Sequence, residues 1–596
     1  MMQTPEEVTL INFDPNSNSD GIWYLAHTLP ELQSARADSK EEKRLIAPDH
    51  YKIDAVLGSP NILSTQPDLT VTCDLTFHTL QDGVRMLKLD LMPDLQVSRV
   101  AFNGVDVPFV QEARNHDGSF YLQMPEALAK GRTYNATFEY AGGEIVQSKF
   151  FPVPPRRIWY PTPSGPAGRA TCDLTFHIPQ GSKIATVGNQ VGQARHGFWD
   201  MSQWTSDVPI VQAVFRWVRD ASLKAEVEES TKVRMAVYNA TPPGPIGPPS
   251  SDYMLGDVGS ALRLFTSWFG KSAYDNISVL VGGLGASLPG LVYVPAVFMS
   301  GSAALSSRVG MDLRPQVRAT LDEGFPRLVA GQWWENTLTP ASFHDAWLSA
   351  GLEGFSASVH DLATGNNVFK DRWDTARESL LSKNRFGVRP IDAGSLWMGL
   401  LNDTQITPAA GAILNASKGA YVVQMLRAMM WDPQTLDRDF QAMMKDFVAS
   451  FTNRSVSTED FESIVGKHMK PSMDLNGDGT MDWFFAEWLD GMEVPDYRVE
   501  YSLRPVEGGG TLVEGKLTQS GVSPAFRMPV PVFAELAGKT YRICVVPMRG
   551  NSTSEFKASL SARPAKILLN ANHDILSEKD EVIVGRAILS PADDLR

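Results

Sequence analysis

The sequence predicts a multidomain α+β fold: an N-terminal β-sandwich, a mixed and then helical domain, and a C-terminal β-sandwich. Three observations predict it. Apolar and polar residues alternate along the first third of the chain, a helical period replaces the alternation after a Pro-rich stretch, and the alternation returns at Tyr497. At 596 residues the chain is also too long for a single core.

Residues 1–46 are polar, with a run of charges at Asp38–Arg44, and read as an N-terminal extension. Residues 47–238 form the first β-sandwich domain. Within it Leu69–His78 alternates throughout, Val84–Leu91 gives a shorter strand between Asp82-Gly83 and Pro93, and Ala170–Ile178 repeats the alternation. The hexamer C-D-L-T-F-H occurs twice, at Cys73–His78 and Cys172–His177, with no periodic repeat around it. Thr241–Ser250 is a Pro-rich linker. The domain at 239–495 then opens with a helix read at Ser260–Phe269. Asn276–Ser307 carries no charge, but its glycines and prolines break any continuous helix, so it reads as a buried strand, a tight turn and a second extended segment. Helical patterns run through 313–365, 367–384 and 418–470. Residues 496–596 form the last β-sandwich, with strands at Tyr497–Leu503, Thr511–Thr518 and Val530–Ala534.

A formal net charge of −14 argues against a nucleic-acid partner and against an anionic membrane surface. No membrane span is expected. Cys73, Cys172 and Cys544 are odd in number and widely spaced, which supports neither a disulfide framework nor a cysteine metal site. Met1–Leu10 has no basic n-region and no apolar h-region, so no signal peptide is expected in the chain as given; a periplasmic or secreted location would need a leader outside it.

Gln332-Trp333-Trp334-Glu335-Asn336-Thr337-Leu338-Thr339-Pro340, followed by Trp347-Leu348-Ser349-Ala350-Gly351, resembles the membrane alanyl aminopeptidases. These are gluzincins with a thermolysin-like mixed and helical domain, and they include aminopeptidase N and leukotriene hydrolase. The family text runs H-E-x-x-H-Q-W-W/F-G-N, then T-P, then W-L-x-E-G. Gly285-Ala286-Ser287-Leu288-Pro289-Gly290-Leu291 resembles the family's G-A-M-E-N-P-G-L loop, one residue shorter. Lys418-Gly419-Ala420 resembles its Y-x-K-G helix, and Ser457–Phe461, Asp482–Phe485 and Trp488-Leu489 match later helices. The order of these texts is kept from about residue 47 onward, which speaks more for fold than for function.

The resemblance implies a zinc held by two histidines one helical turn apart and by a glutamate nineteen residues later, with a second glutamate as general base. Aligned on Gln332-Trp333-Trp334, the histidine positions are Arg327 and Gly331, the base position is Leu328, and the third-ligand position is Ala350. The family's transition-state tyrosine falls on Ala416, and its exopeptidase glutamate has no counterpart in Ala286–Pro289. Arg327 is a permanent cation that repels a metal ion, and Pro326 interrupts the helix or forces a late start. The ten histidines contain no i, i+3 or i, i+4 pair. Glu323, Glu335 and Glu353 lie near the old site, but a carboxylate-only zinc site is unusual. No zinc is therefore expected. Gly285, Ala286, Pro289, Gly290, Gln332, Trp333 and Glu353 are read as the remnant of a peptide cleft.

No G-x-S-x-G elbow and no Gly-Lys-Ser/Thr phosphate loop is present. Asp474–Asp482 matches the first nine positions of a calcium loop, with oxygens from Asp474, Asn476, Asp478, Thr480 and Asp482 and a turn at Gly479. Phe485 stands where a bidentate glutamate is needed, so calcium binding competes with a plain Asx-rich turn. Two functions follow: a catalytically inactive pseudopeptidase that binds a peptide or protein or serves as a scaffold, and an active metallo-aminopeptidase with a rebuilt site.

Overall fold

The structure is a computed structural model. It describes residues 8–12, 21–26, 44–58, 69–111, 118–142, 159–163, 168–219, 222–239, 250–281, 285–294, 324–364, 368–506 and 509–584. The linker at 241–249, the charge-free residues 295–307 and Glu323 lie outside the described residues, and the N-terminal extension is described only in part, chiefly as the antiparallel pair Val8–Asn12 and Gly21–Ala26. The chain is a mixed α+β protein that divides into two compact units. One comprises Met1–Thr339 with Phe451–Ser455, the other Pro340–Ser450 with Val456–Arg596.

In the first unit an eight-stranded sheet is centred on the strand Ile46–Leu57. The strand Leu69–Thr79 runs antiparallel on one side and Ala170–Pro179 runs parallel on the other. These two neighbours carry the identical hexamers. Cys73 stands opposite Ile53 and Cys172 opposite Tyr51, and both thiols are buried, which pushes their pKa values up. Alternation places Leu69, Val71, Cys73, Leu75 and Phe77 in the core and their neighbours outward. A four-stranded sheet contributes Val84, Leu87, Leu89, Phe120 and Leu122 to the same core.

The same unit holds a five-stranded mixed sheet in the order Ser222–Val227, Arg234–Asn239, Asn276–Val281, Leu291–Val294, Ala286–Leu288. The helix preceding its third-placed strand spans Ser251–Phe269, nine residues earlier in its start than the sequence pattern suggests. Ser250 caps it by accepting the Tyr253 N–H at 3.2 Å, and Gly270 closes it at φ +86° with its N–H on the Thr266 carbonyl. Gly256, Asp257, Gly259 and Ser260 hide the apolar stripe of Met254, Leu255 and Val258, which the structure buries.

The second unit contains the helices Ala346–Thr364, Val368–Leu381, Gly419–Met430, Arg438–Phe451 and Thr458–His468, the middle one preceded by a π-helical turn at Leu414–Lys418. It also contains two sheets, one of four strands in the order Ser552–Leu560, Gly510–Ser520, Asp496–Val506, Lys579–Val584, and one of three in the order Lys539–Arg549, Arg527–Leu536, Lys566–Leu569. Among the described residues no helix is long and apolar enough to cross a membrane.

The helices Ala346–Thr364 and Gly419–Met430 cross through glycine. A Cβ on Gly351 would lie 2.6 Å from the Gly419 carbonyl carbon, and one on Gly354 would touch the Ala416 carbonyl oxygen at 3.4 Å. Gly351→Ala is therefore expected to destabilise this unit by about 1 to 3 kcal/mol net, because backbone cannot move aside for a methyl group. Gly466, with open space around it in the helix Thr458–His468, provides the contrast. Gly466→Ala is expected to stabilise by about 0.5 to 1 kcal/mol. Urea denaturation followed by circular dichroism measures both.

Candidate functional site

The positions singled out by the resemblance fall on both units. Arg327, Leu328 and Gly331 lie on the helix Gly324–Gly331 of the first unit. Arg327 and Leu328 are partly exposed and Gly331 is buried. Pro326 stands in the first turn of this helix, where backbone N–H groups have no intrahelical acceptor, so the ring costs no hydrogen bond there. The helix passes directly into a π-helical turn at Gln332–Thr337.

That turn is built around Gln332, which is fully buried. Its Oε1 accepts the Gly290 N–H at 3.0 Å. Its Nε2 donates to Ser287 Oγ at 2.8 Å, to the Leu288 carbonyl at 3.0 Å and to the Leu291 carbonyl at 3.3 Å. The partners all belong to the hairpin Ala286–Leu288 and Leu291–Val294, the segment that resembles the family's exopeptidase loop. Pro289 and Gly290 form its two-residue connection, with Gly290 at φ +67°, the residue order a type II turn needs. Ala286 is half-buried and Gly285 exposed at the hairpin's entry.

The rest of the turn is tied down as firmly. Asn336 donates to Ser287 Oγ at 3.2 Å and to the Gly331 carbonyl at 2.8 Å. Trp333, fully buried, donates its indole N–H to the Gly270 carbonyl at 2.9 Å. Arg169 and the Tyr274 hydroxyl both donate to the Asn336 carbonyl at 2.9 Å, and Arg169 also reaches the Thr337 carbonyl at 3.2 Å. Burial lowers the Arg169 pKa, and these carbonyls are what it has in exchange for water. Gln332 and Trp333, read from the sequence as cleft remnants, are thus enclosed side chains that hold backbone in place.

In the second unit Ala350 and Glu353 lie on the helix Ala346–Thr364, Ala350 partly exposed and Glu353 buried. Ala416 is in the π-helical turn Leu414–Lys418. Trp347 donates to Thr458 Oγ1 at 3.1 Å, and Asp345 accepts from the Thr458 N–H at 2.7 Å and its hydroxyl at 2.9 Å. Ser457 and Asp460 form a capping box on the following helix. Lys418 is buried, donates to the Gly491 carbonyl at 2.6 Å and has its pKa lowered to about 7 by burial, against the opposing charge of Asp490. No periodicity in the sequence marks Lys418 as buried.

At the calcium-like loop Asp474 Oδ1 accepts the N–H groups of Gly477 and Asp478 at 2.7 and 3.1 Å, and Oδ2 accepts that of Gly479 at 3.1 Å. Asp478 accepts from both the N–H and the hydroxyl of Thr480 and from the Asn476 amide. Phe485 is buried. The nearby Glu487 accepts the Arg527 N–H at 2.8 Å, and burial raises its pKa to about 8. Among the described residues no group of three His, Cys, Asp or Glu side chains is arranged to hold a metal ion.

No protein-family model matches the chain, and no curated protein matches it. Solved structures do. An M1 zinc metallopeptidase from Deinococcus radiodurans is similar with a TM-score of 0.54 and 20% identity, over 76% of this chain and 95% of that one. A variant of that peptidase bound to a Tyr-Ser-Ala substrate gives a TM-score of 0.55 at the same identity and coverage. At 20% identity the likeness shows the fold. The chain therefore has an aminopeptidase-like metallopeptidase fold.

Gln332→Leu is expected to cost about 2 to 4 kcal/mol, because it leaves the Gly290 N–H and the hairpin carbonyls buried without partners. Denaturation midpoints measure the loss, and faster amide exchange at Gly290 locates it. The pKa of Lys418 is lowered on folding, so the unfolded chain binds more protons between about pH 7 and the ordinary lysine value, and stability rises with pH across that window. Lys418→Met is expected to remove this slope and to gain more stability at pH 6 than at pH 10, read from thermal midpoints across pH.

Proposed function

We propose that the chain is a catalytically inactive, aminopeptidase-like protein, a pseudopeptidase that binds a peptide or a protein. The architecture proposed with it is an N-terminal β-sandwich, a thermolysin-like domain and a C-terminal β-sandwich. The observation that carries the reading is the chemistry of four side chains. Where the resemblance sets two histidines, a glutamate base and a glutamate ligand, the chain has the guanidinium of Arg327, the isobutyl group of Leu328, the hydrogen of Gly331 and the methyl of Ala350. None of these offers a lone pair to a cation, and a guanidinium stays protonated. The zinc that the fold implies does not fit this set.

The groups that surround these positions support a binding role. The helix Gly324–Gly331 and the hairpin it adjoins are held by a closed set of hydrogen bonds around Gln332, so the local backbone is rigid without a metal. A planar guanidinium on that helix suits a carboxylate of a bound peptide. The loop Asp474–Asp482 is proposed to serve chiefly as an Asx-rich turn, since its carboxylates already close the backbone, with calcium a weak ligand of Asp474, Asn476, Asp478, the Thr480 carbonyl and Asp482.

Mass spectrometry of the native protein is expected to find well under one zinc per chain, and assays with unblocked dipeptide and tripeptide substrates to find no hydrolysis above the variant Arg327→Ala. One zinc per chain that survives dialysis, with hydrolysis, sinks the proposal. Calorimetric titration with calcium is expected to show no site tighter than about 1 mM. A micromolar site that vanishes in Asp474→Ala restores calcium as a resident ligand.

A further inference from the structure

We propose that the strand Ser222–Val227, at one edge of the five-stranded sheet of the first unit, is a docking surface for the same strand of a second copy of this chain, the two strands pairing antiparallel across a two-fold axis at Ala225. The strand is bonded on one side to Arg234–Asn239, and among the described residues no strand pairs with its other side. All six of its residues are exposed. Such an edge offers a row of backbone groups to any chain that can pair with it, and native proteins blunt it with a proline, a bulge or unmatched charge. This strand has no proline, and its register with Arg234–Asn239 contains no bulge.

The hairpin shows which groups face outward. The Glu228 N–H donates to the Val233 carbonyl at 2.9 Å, one position beyond the opposed pair Val227 and Arg234. In an antiparallel ladder alternate residues bond to the same neighbour, so Ser222, Lys224 and Glu226 bond toward Arg234–Asn239, and the N–H and C=O groups of Leu223, Ala225 and Val227 point away from the sheet. The side chains of these three stand together on one face, with Leu223 42% and Val227 55% exposed. Lys224 and Glu226 stand on the opposite face, where Lys224 meets Asp252 at the start of the helix Ser251–Phe269.

The occupant follows from the text of the strand, S-L-K-A-E-V, which is complementary to itself. With Ala225 opposite the second copy's Ala225, Leu223 lies opposite Val227 and Lys224 opposite Glu226, and the two-fold axis makes each of these pairs twice. The outward N–H and C=O groups all close, those of Leu223 on Val227, those of Val227 on Leu223 and those of Ala225 on its own copy. Moving the axis to Lys224 sets lysine against lysine, and moving it to Glu226 sets glutamate against glutamate, so charge fixes the register. None of the zinc-like positions belongs to this surface.

Sedimentation velocity of the full chain tests the pairing. A reversible dimer is expected with a dissociation constant on the order of 10 to 100 μM, weak because a single pair of strands covers less than a standard interface. Ala225→Pro removes an outward N–H that the strand's own sheet does not use, and is expected to weaken the dimer at least about tenfold with circular dichroism unchanged. Lys224→Glu and Glu226→Lys each set like charges opposite one another and are expected to weaken self-association about tenfold. An equimolar mixture of those two variants is expected to restore the dimer, because every charged pair across the axis is then of opposite sign. Monomer alone up to about 300 μM overturns the proposal. So does a dimer that Ala225→Pro leaves as tight as before, or a mixture that associates no better than either charge variant alone, a comparison that does not depend on the proline variant folding.

Discussion

A buried amide must find partners for its carbonyl oxygen and both N–H bonds, and in Gln332 that requirement organises much of the first unit. Its side chain can be satisfied only if the hairpin at Ala286–Val294 presents Gly290, Ser287, Leu288 and Leu291 in one register. The hairpin in turn is an edge of the five-stranded sheet, and the helix that leads into Gln332 carries Arg327. A slip of one residue in the short hairpin would exchange its inward and outward sides and orphan the amide. Register, turn and helix exit are thus set together. The π-helical geometry at Gln332–Thr337 belongs to the same constraint, since Thr337 Oγ1 closes on the Gln332 carbonyl at 2.7 Å while Asn336 reaches back to Gly331.

The second unit answers a different constraint, the approach of two helices. Gly351 and Gly419 let backbone meet backbone, and the residues beside them supply the bulk: Trp347 edge-on to Phe461 at 5.7 Å, Tyr421 against Trp373 at 4.7 Å. Here the sequence texts W-L-S-A-G and K-G-A acquire a physical meaning that is independent of catalysis. They are the two sides of one crossing. The same holds for Ser457–Phe461, which is a capping box followed by a core phenylalanine. What resembles a peptidase in this chain is, residue by residue, the part that packs or caps. The positions where the resemblance would set the chemistry carry Arg327, Leu328, Gly331 and Ala350.

Much of the first sheet was legible, because alternation is a direct readout of a half-buried strand: Leu69–His78 and Ala170–Ile178 become strands within one residue of their expected ends. The helix at Ser251–Phe269 was legible only in its second half. Its first half mixes Gly256, Asp257 and Gly259 with the apolar stripe, and the cap at Ser250 sits against proline-rich sequence that reads as linker. For the candidate site, the positions that the resemblance compares with the zinc ligands could be named from the order of the surrounding text. The duty of Gln332 could not, because a glutamine has the same local signature on a surface as in a core.

By itself the sequence determined the succession of strands and helices, the side chains at the zinc-like positions, and the absence of a histidine pair, since these depend only on local period and on residue identity. Only the tertiary structure decided that the two C-D-L-T-F-H strands flank a common neighbour, that Gly351 and Gly419 touch, and that Lys418 is buried. Each of these joins residues tens to more than a hundred positions apart or sets the dielectric around a charge. Burial and long-range pairing are properties of the packed chain, and no local pattern encodes them.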